Sequence, residues 1–204
     1  MKLYDLELSG NCYKVRLFLN LLQQPFEKVT VNVLKGEHKS PEYLSINPKG
    51  QIPTLADGEC IISDSQAILV YLAEKFEAES WYPKDAQTRA EIQFWLSTAA
   101  NEAGRGPADA RLVKLFGAGL DYNQARQKTD ALLNLLEQHL QGHDWLVGDA
   151  ITIADIAVFP YVGLAGDAEI SLEPYPAVRA WLNRITTQPN FIGMPGLHPA
   201  EQTV

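Results

Sequence analysis

The pattern of hydrophobic residues changes near residue 80 and divides the chain into two parts. Up to Phe76, strand-like and helix-like segments alternate in the order β-α-β, a short helical piece, a β-hairpin and a helix, which is typical of an α/β domain. Beyond this point the hydrophobic residues recur at helical spacing. One such stripe contains Ile92, Trp95, Leu96 and Ala99. We therefore expect an α/β domain over residues 1–77 and an all-α domain over residues 84–204.

Charge and cysteine content exclude several classes of function. The net charge of −8 and the pI near 5.0 argue against binding to nucleic acid or to an anionic membrane. The two cysteines cannot build a disulfide framework, and the four histidines show no metal-ligand spacing, so we expect no metal site. No signal peptide and no apolar run of about 18 residues is present, which predicts a cytoplasmic protein with reduced cysteines.

A capping pattern in the second part of the chain predicts the start of one helix. In "DAITIADIAVFPYV", Thr152 and Asp155 have the spacing of a capping box, with Asp in place of the more common Glu or Gln. We expect both residues to be structural. The final segment, "GLHPAEQTV", has too little apolar content to add a folded element.

Two short segments of the first part are candidates for binding a ligand. In "NPKGQIPTL", Pro53 stands at the entrance to a strand, where a cis bond after Ile52 would turn main-chain groups toward a ligand. In "SDSQAI", Asp64 and Ser65 begin a helix. They are either simple N-caps or a site in which the helix start and hydroxyl bind a carboxylate and Asp64 binds an ammonium. The second interpretation describes an α-amino acid.

A polar loop adds three more candidates. "KGEHKSPEY" contains Lys35, His38 and Lys39, which form either a solvated surface or a site for a second carboxylate of the same ligand.

These segments together resemble a known family. "SGNCYKVR", "GEHKSPEYLSINPKGQIPTL", "SDSQAILVYL" and "WLVGDAITIADIAVFPYV" occur in the order and spacing of the cytosolic glutathione S-transferases, and look most like bacterial serine-type members similar to the theta and phi classes. The resemblance implies a thioredoxin-like N-terminal domain followed by an all-helical C-terminal domain. It also implies that glutathione is the co-substrate and that the protein is a homodimer, with surfaces near Tyr71 and Trp95 as plausible contributors.

The resemblance assigns roles to residues already singled out. Ile52 and Pro53 match the loop that binds the cysteinyl part of glutathione, and Asp64 and Ser65 match the pair that binds its γ-glutamyl end. The residues that match contacts near either end of glutathione are His38, Lys39 and Gln51. Thr152 and Asp155 match a capping box that serves as a folding signal in the family.

Three residues at the predicted start of the first helix compete for the catalytic role. Alignment with serine-type members selects Ser9, whose hydroxyl would donate to the glutathione sulfur and, with the positive end of the helix, favour the thiolate. Asn11 is the second choice, because its amide is also a donor. Cys12 is the third, either as a redox-active thiol or as a buried structural one. Tyr4 and Tyr13 lie within the predicted strand and helix, which argues against the tyrosine type.

The electrophile pocket is expected against "WLSTAANEAGRGPADARL". Its candidate residues are Trp95, Asn101, Arg105 and Arg111, although ordinary helical surface charge would also explain them. Glycines 104 and 106 with Pro107 must bend or end this helix. The resulting expectation is a transferase that attacks a small hydrophobic electrophile. The alternatives are a disulfide or peroxide reductase that uses Cys12, an isomerase of a glutathione adduct, and a non-catalytic glutathione-binding or interaction module.

Overall fold

The computed structural model describes residues 1–199, so the last five residues of the C-terminal tail lie outside the described part of the chain. The strands are β1 (Lys2–Asp5), β2 (Glu27–Thr30), β3 (Thr54–Asp57) and β4 (Cys60–Ser63). The α-helices are α1 (Gly10–Leu21), α2 (Pro41–Ile46), α3 (Ser65–Lys75), α4 (Ala86–Thr98), α5 (Pro107–Phe116), α6 (Tyr122–Leu140), α7 (Ile153–Gly163) and α8 (Pro176–Thr186). None of these helices has the length and hydropathy needed to cross a bilayer.

The four strands form one mixed sheet in the order β2-β1-β3-β4. Strand β1 pairs in parallel with β2 and antiparallel with β3, and β3 pairs antiparallel with β4 through the predicted hairpin. Gly58 in the hairpin turn has φ +61°, the left-handed conformation that the Asp-Gly pair predicted. The predicted order of strands and helices is confirmed, although β1 and β2 are each shorter than the apolar runs that predicted them.

Helix α7 is the central element of the molecule. Every residue from Ile153 to Val162 is buried, because the helix contacts α1 and α3 of the first part and α4 and α5 of the second. A helix that is apolar on all sides belongs in an interior. Helix α7 therefore forms the core that the two parts of the chain share.

The predicted capping box at the start of α7 is confirmed. The Asp155 carboxylate accepts hydrogen bonds from the Thr152 N–H at 2.8 Å and the Thr152 hydroxyl at 3.2 Å. It also accepts from the Leu146 N–H at 3.0 Å and the Trp181 indole N–H at 2.9 Å, and thereby connects α7 to α8 and to the preceding loop. Burial raises the pKa of Asp155, and these four donors oppose that effect.

The expected interruption after α4 is also confirmed. Helix α4 ends at Thr98, a π-helical turn spans Ala99–Ala103, and α5 begins at Pro107. A Cβ atom on Gly106 would lie 2.8 Å from the Glu102 carbonyl oxygen, so the close approach requires glycine. Turns of this kind often occur at functional sites.

Replacement of Asp155 should destabilise the fold strongly. In Asp155→Ala, four buried donors lose their acceptor, and we expect the free energy of unfolding to fall by about 3–5 kcal/mol in urea denaturation. Asp121→Ala is the matched control, because Asp121 caps α6 at an exposed position through one hydrogen bond from Gln124 N–H. The free energy of unfolding of this control variant should fall by about 1 kcal/mol. Equal losses for the two variants would contradict the assigned role of Asp155.

Candidate active site

A cleft of about 560 Å³ lies between loops of the first domain and the π-helical turn after α4. Most of the residues predicted to bind glutathione line it. These are His38, Lys39, Gln51, Ile52, Pro53, Asp64 and Ser65, and the catalytic candidate Asn11 lines the cleft as well. Lys35, which was predicted with them, is exposed and does not line this cleft. The structure thus brings together residues that are more than 50 positions apart in the chain.

The proline loop presents main-chain groups to the cleft. The Ile52–Pro53 peptide bond is cis, as the sequence suggested. The Gln51 carbonyl oxygen accepts hydrogen bonds from the Tyr43 hydroxyl at 2.7 Å and the Asn47 amide at 2.8 Å, which fixes the loop from below. Within residues 1–199, the N–H and C=O of Ile52 have no hydrogen-bond partner, so both are available to pair with a peptide-like ligand.

Lysine and histidine side chains border the same loop. The Lys39 ammonium donates to the carbonyl oxygens of Lys49 and Gly50 at 3.1 and 2.8 Å and so secures the loop. His38 lines the cleft, and its Nδ1 lacks a hydrogen-bond partner in the part of the chain that the structure describes. Lys49 also lines the cleft and was not identified from the sequence. This wall is therefore rich in donors and positive charge.

The start of α3 forms the opposite wall. Asp64 has φ +93°, and its Oδ1 accepts from the N–H groups of Gln66 and Ala67 at 2.9 and 3.1 Å. The capping role is therefore real, but it occupies only one oxygen of a carboxylate that also lines the cleft. Ser65 is 3% exposed and its hydroxyl lies 3.4 Å from Asn11 Oδ1, which places it at the cleft floor.

Gln66 connects this wall to the second domain and was not identified from the sequence. When its amide is oriented to satisfy its neighbours, its nitrogen donates to Asp64 Oδ1 and to the Ser65 hydroxyl at 3.1 and 2.6 Å. Its oxygen then accepts from the Ala100 N–H in the π-helical turn at 3.2 Å. The sequence gives no direct signal for this contact, because it depends on the irregular turn in a distant helix.

Ser9 lies at a second, smaller cavity of about 180 Å³. Its Oγ accepts from the Cys12 N–H at 3.3 Å and caps α1, and this leaves the hydroxyl proton free to donate. The other residues that line the cavity are mostly apolar and include Leu8, Val33, Ile52, Ala108, Leu112 and Phe116. Val33 and Ile52 line both cavities, so the two adjoin at these residues, and Ser9 lines the smaller one.

Two arginines hold the loop in front of Ser9. Arg16 on α1 pairs with buried Asp5 and donates to the carbonyl oxygens of residues 6 and 7 at 3.3 and 2.9 Å. Arg111, from the second domain, donates to the carbonyl oxygen of residue 8 at 2.8 Å and to Asp167 at 2.8 Å. Arg111 was predicted at the electrophile pocket. It does line the apolar cavity, but it is also committed to these contacts.

The remaining electrophile-site candidates lie elsewhere. Arg105 lines the larger cleft, and forms an exposed ion pair with Asp109 at 3.7 Å. Trp95 is buried against Phe94 and His139, and Asn101 is exposed and bonds to its neighbour Glu102. Neither Trp95 nor Asn101 lines either of these two cavities. Helical spacing identified the correct segment but not the side chains that face the cavities.

The Cys12 thiol is fully buried and lines neither cavity. Burial raises its pKa to about 12, so it stays protonated at neutral pH. A thiol in this environment is a poor nucleophile and a poor redox group. This geometry favours the structural interpretation of Cys12.

Lys14 is a charged residue that the sequence analysis did not single out. It is fully buried on α1, and its ammonium donates to Asn11 Oδ1 at 2.8 Å. Burial lowers the pKa of Lys14 to about 7, and the charge of Asp64 opposes this shift. Because Asn11 Oδ1 also faces the Ser65 hydroxyl, the amide nitrogen is the part of Asn11 left to donate to a ligand.

Lys14 should give the protein a pH-dependent stability. An unfolded lysine keeps its proton up to about pH 10.4, whereas folded Lys14 loses it near pH 7, so the unfolded state binds more protons above pH 7. Stability should therefore rise with pH between 7 and 8.5, by up to about 1.4 kcal/mol per pH unit. Lys14→Met should remove this slope in urea denaturation.

Lys128→Met is the matched control, because Lys128 is exposed on α6. It should keep the wild-type slope. Below this pH range His139, whose pKa burial lowers from 6.5, adds its own titration. A slope that survives in Lys14→Met would show that Lys14 is not its source.

Known proteins are similar to this chain in sequence and in fold. Residues 3–80 match the family described as Glutathione S-transferase, N-terminal domain, and residues 119–189 match Glutathione S-transferase, C-terminal domain. Glutathione S-transferase 2 of Anopheles gambiae is 31% identical over 87% of this chain and 86% of its own length.

Solved structures agree with these matches. A possible glutathione S-transferase from Rhodopseudomonas palustris is 36% identical, covers 95% of this chain and 89% of its own, and has a TM-score of 0.88. Human glutathione transferase theta-2, in complex with glutathione and an unknown ligand, is 30% identical over 90% of this chain and 80% of its own, with a TM-score of 0.83.

Proposed function

Because this chain belongs to the glutathione S-transferase family and shares its enzyme activity, we propose that it activates glutathione as a thiolate, through Ser9, for attack on a small hydrophobic electrophile. The observation that carries this proposal is the junction of the two cavities. Ser9 lines the small apolar cavity, which shares Val33 and Ile52 with the polar, charged cleft, and a reacting sulfur at this junction would touch both.

The charges of the larger cleft suit glutathione. This tripeptide has two carboxylates, one ammonium and a peptide backbone between them. The charged residues that line the cleft are Lys39, Lys49, Arg105 and Asp64, which supply more positive than negative charge although the whole chain carries −8. We assign the γ-glutamyl end to Asp64, Ser65 and the start of α3, where the dipole favours a carboxylate. The glycyl carboxylate then lies toward His38 and Lys39, and the cysteinyl backbone pairs with Ile52.

Helix α1 supplies the electrostatic basis for activation. Ser9 is its N-cap, so a sulfur that accepts from the Ser9 hydroxyl also lies near the positive end of the helix dipole. Both interactions favour the thiolate over the thiol. Each unit by which the pKa of the thiol falls corresponds to about 1.4 kcal/mol of preferential stabilisation.

The buried position of Cys12 favours Ser9 over the reductase alternative. A mixed disulfide with glutathione would require the Cys12 sulfur to leave the core of the first domain. We therefore place this protein with the serine-type members, similar to theta and phi.

Removal of the Ser9 hydroxyl should impair activation of glutathione. In Ser9→Ala, we expect the pKa of bound glutathione to rise by about 1–2 units and kcat/KM toward a chlorodinitrobenzene to fall about 10- to 150-fold, the effect of one hydrogen bond to a charged group. Thiolate absorbance and steady-state kinetics measure the two effects. Ser9→Thr retains a hydroxyl and should recover most of the activity.

Two further variants test the specificity of this result. Ser45→Ala removes a hydroxyl that, within residues 1–199, bonds only to the Glu42 carbonyl of its own helix, and it should leave both quantities unchanged. Cys12→Ser should retain the activity that Ser9→Ala loses. Full activity of Ser9→Ala, or loss of activity confined to Cys12→Ser, would refute the assignment of Ser9.

We also propose that the protein is a cytoplasmic homodimer. Apolar side chains are exposed on β4 and α4, where Ile61 is 46% and Phe94 is 56% exposed, and contact with a second copy would cover them. Trp95, expected at such a surface, is instead only 4% exposed and belongs to the core of its own chain. Light scattering on Phe94→Ser, compared with the wild type, tests this surface.

A further inference from the structure

Tyr161 reaches the apolar cavity from the central helix, and the proposed function does not use it. It is the one residue of α7 that lines this cavity, where it stands together with Ser9. Its neighbours on α7 are apolar core residues, whereas Tyr161 carries a hydroxyl and keeps 8% of its surface exposed. In this apolar stretch of α7, Tyr161 thus places a polar group at the cavity that Ser9 lines.

The tyrosine ring is held against the first turn of α1. A Cβ atom on residue 10 would lie 2.7 Å from Tyr161 Cε1 and 2.8 Å from Cζ, so only glycine at this position allows the ring to approach so closely. The Lys14 ammonium lies 5.6 Å from the centre of the same ring. The ring is therefore packed between the helix backbone and a buried side chain, which fixes the position of its hydroxyl.

Tyr161 lines the same cavity as Ser9, and hydrogen bonding from the Asn11 backbone N–H acts to lower the pKa of its hydroxyl. The Asn11 N–H is one of the first-turn amides that have no partner within their own helix. Burial is the larger influence, and it raises the pKa of Tyr161 to about 12. The phenol consequently keeps its proton at neutral pH and acts as a donor.

Ser9 and Tyr161 both lie at the first turn of α1. The Ser9 oxygen accepts from the Cys12 N–H at 3.3 Å, and the Tyr161 ring packs against the backbone of Gly10. Each hydroxyl retains a proton that it can donate into the same cavity. Two hydroxyl donors at the start of a helix, in one small cavity, form a preorganised site for negative charge.

We propose that Tyr161 is a second catalytic hydroxyl, which donates a hydrogen bond to the glutathione sulfur together with Ser9. This inference rests on the proposed function, because it requires glutathione in the larger cleft with its sulfur at the junction. The phenol stabilises the thiolate without transferring its proton, and the proton of the glutathione thiol leaves to solvent. The site thereby combines one donor from each domain.

The decisive variant is Tyr161→Phe, which removes the donor and retains the ring. With glutathione saturating, the pKa of the bound thiol should rise by about one unit, the effect of one charge-assisted hydrogen bond. At a pH below this pKa kcat/KM should fall about tenfold, whereas at a pH well above it the variant should approach the wild type. If Tyr161→Phe only disturbed the packing, activity would fall at every pH and the pH profile of kcat/KM would not shift.

Other charged groups face Tyr161 and must be separated from its effect. The Arg111 guanidinium is one of them, and burial keeps the Cys12 thiol protonated, but Lys14 titrates near pH 7. The same measurement with Tyr161→Phe in a Lys14→Met background should show the same shift of about one unit. A shift that disappears in that background would assign the effect to Lys14 and overturn the proposal.

Tyr13→Phe is the matched control. It removes another buried tyrosine hydroxyl, which donates to the Ile192 carbonyl at 2.6 Å and lies in neither of the two cavities. It should lower the melting temperature without moving the pKa of bound glutathione. Replacement of Tyr161 by 3-fluorotyrosine gives a second test that preserves the packing, because a more acidic phenol donates more strongly and should lower that pKa.

The outcomes separate the two proposals. An unchanged pKa in Tyr161→Phe, with a raised pKa in Ser9→Ala, would overturn the role of Tyr161 and leave Ser9 as the activating residue. A raised pKa in Tyr161→Phe alone would support Tyr161 and refute Ser9. A double variant with a larger shift than either single variant would support both hydroxyls.

Discussion

The carboxylate of Asp155 is the interaction on which the rest of the structure depends. Its four donors come from the start of α7, the loop before it and α8, so a single buried group sets the direction and depth of the central helix. Helix α7 in turn packs on α1, whose first turn carries the candidate active site. The geometry of the proposed sulfur site is therefore determined in part by a capping box about 150 positions further along the chain.

Burial, more than local charge, controls the chemistry of the first turn of α1. It keeps Cys12 and Tyr161 protonated and brings the pKa of Lys14 close to neutrality. The hydroxyls of Ser9 and Tyr161 are thus uncharged donors, which stabilise an anion without holding it as a fixed ion pair would. In the proposed mechanism, a thiolate stabilised in this way would stay reactive toward an electrophile.

The fold was largely predictable from the sequence, because strand and helix periodicities are local and the capping box is a short-range pattern. The cleft was partly predictable, since Ile52, Pro53, Asp64 and Ser65 belong to recognisable segments. The sequence did not predict that Lys14, Gln66 and Tyr161 contribute to the candidate site. The sequence around Lys14 suggests a surface residue, but α7 covers it in the structure. Gln66 bonds to a π-helical turn that is distant in sequence. Tyr161 lies in an apolar run that predicts only core residues. Each depends on contacts between the two domains, which no local pattern encodes.

The hydrogen bond from Arg111 to the Leu8 carbonyl joins the two domains and so limits how each can evolve separately. A fragment that ended before α4 would keep most of the residues of the glutathione cleft. It would lack the guanidinium that holds the loop before Ser9, the amide partner of Gln66 and the wall that carries Tyr161. Recombination that exchanged the helical domain for a distant relative's would thus alter the activation of the thiol as well as the choice of electrophile. The two halves of this chain are expected to be inherited, and to diversify, as one unit.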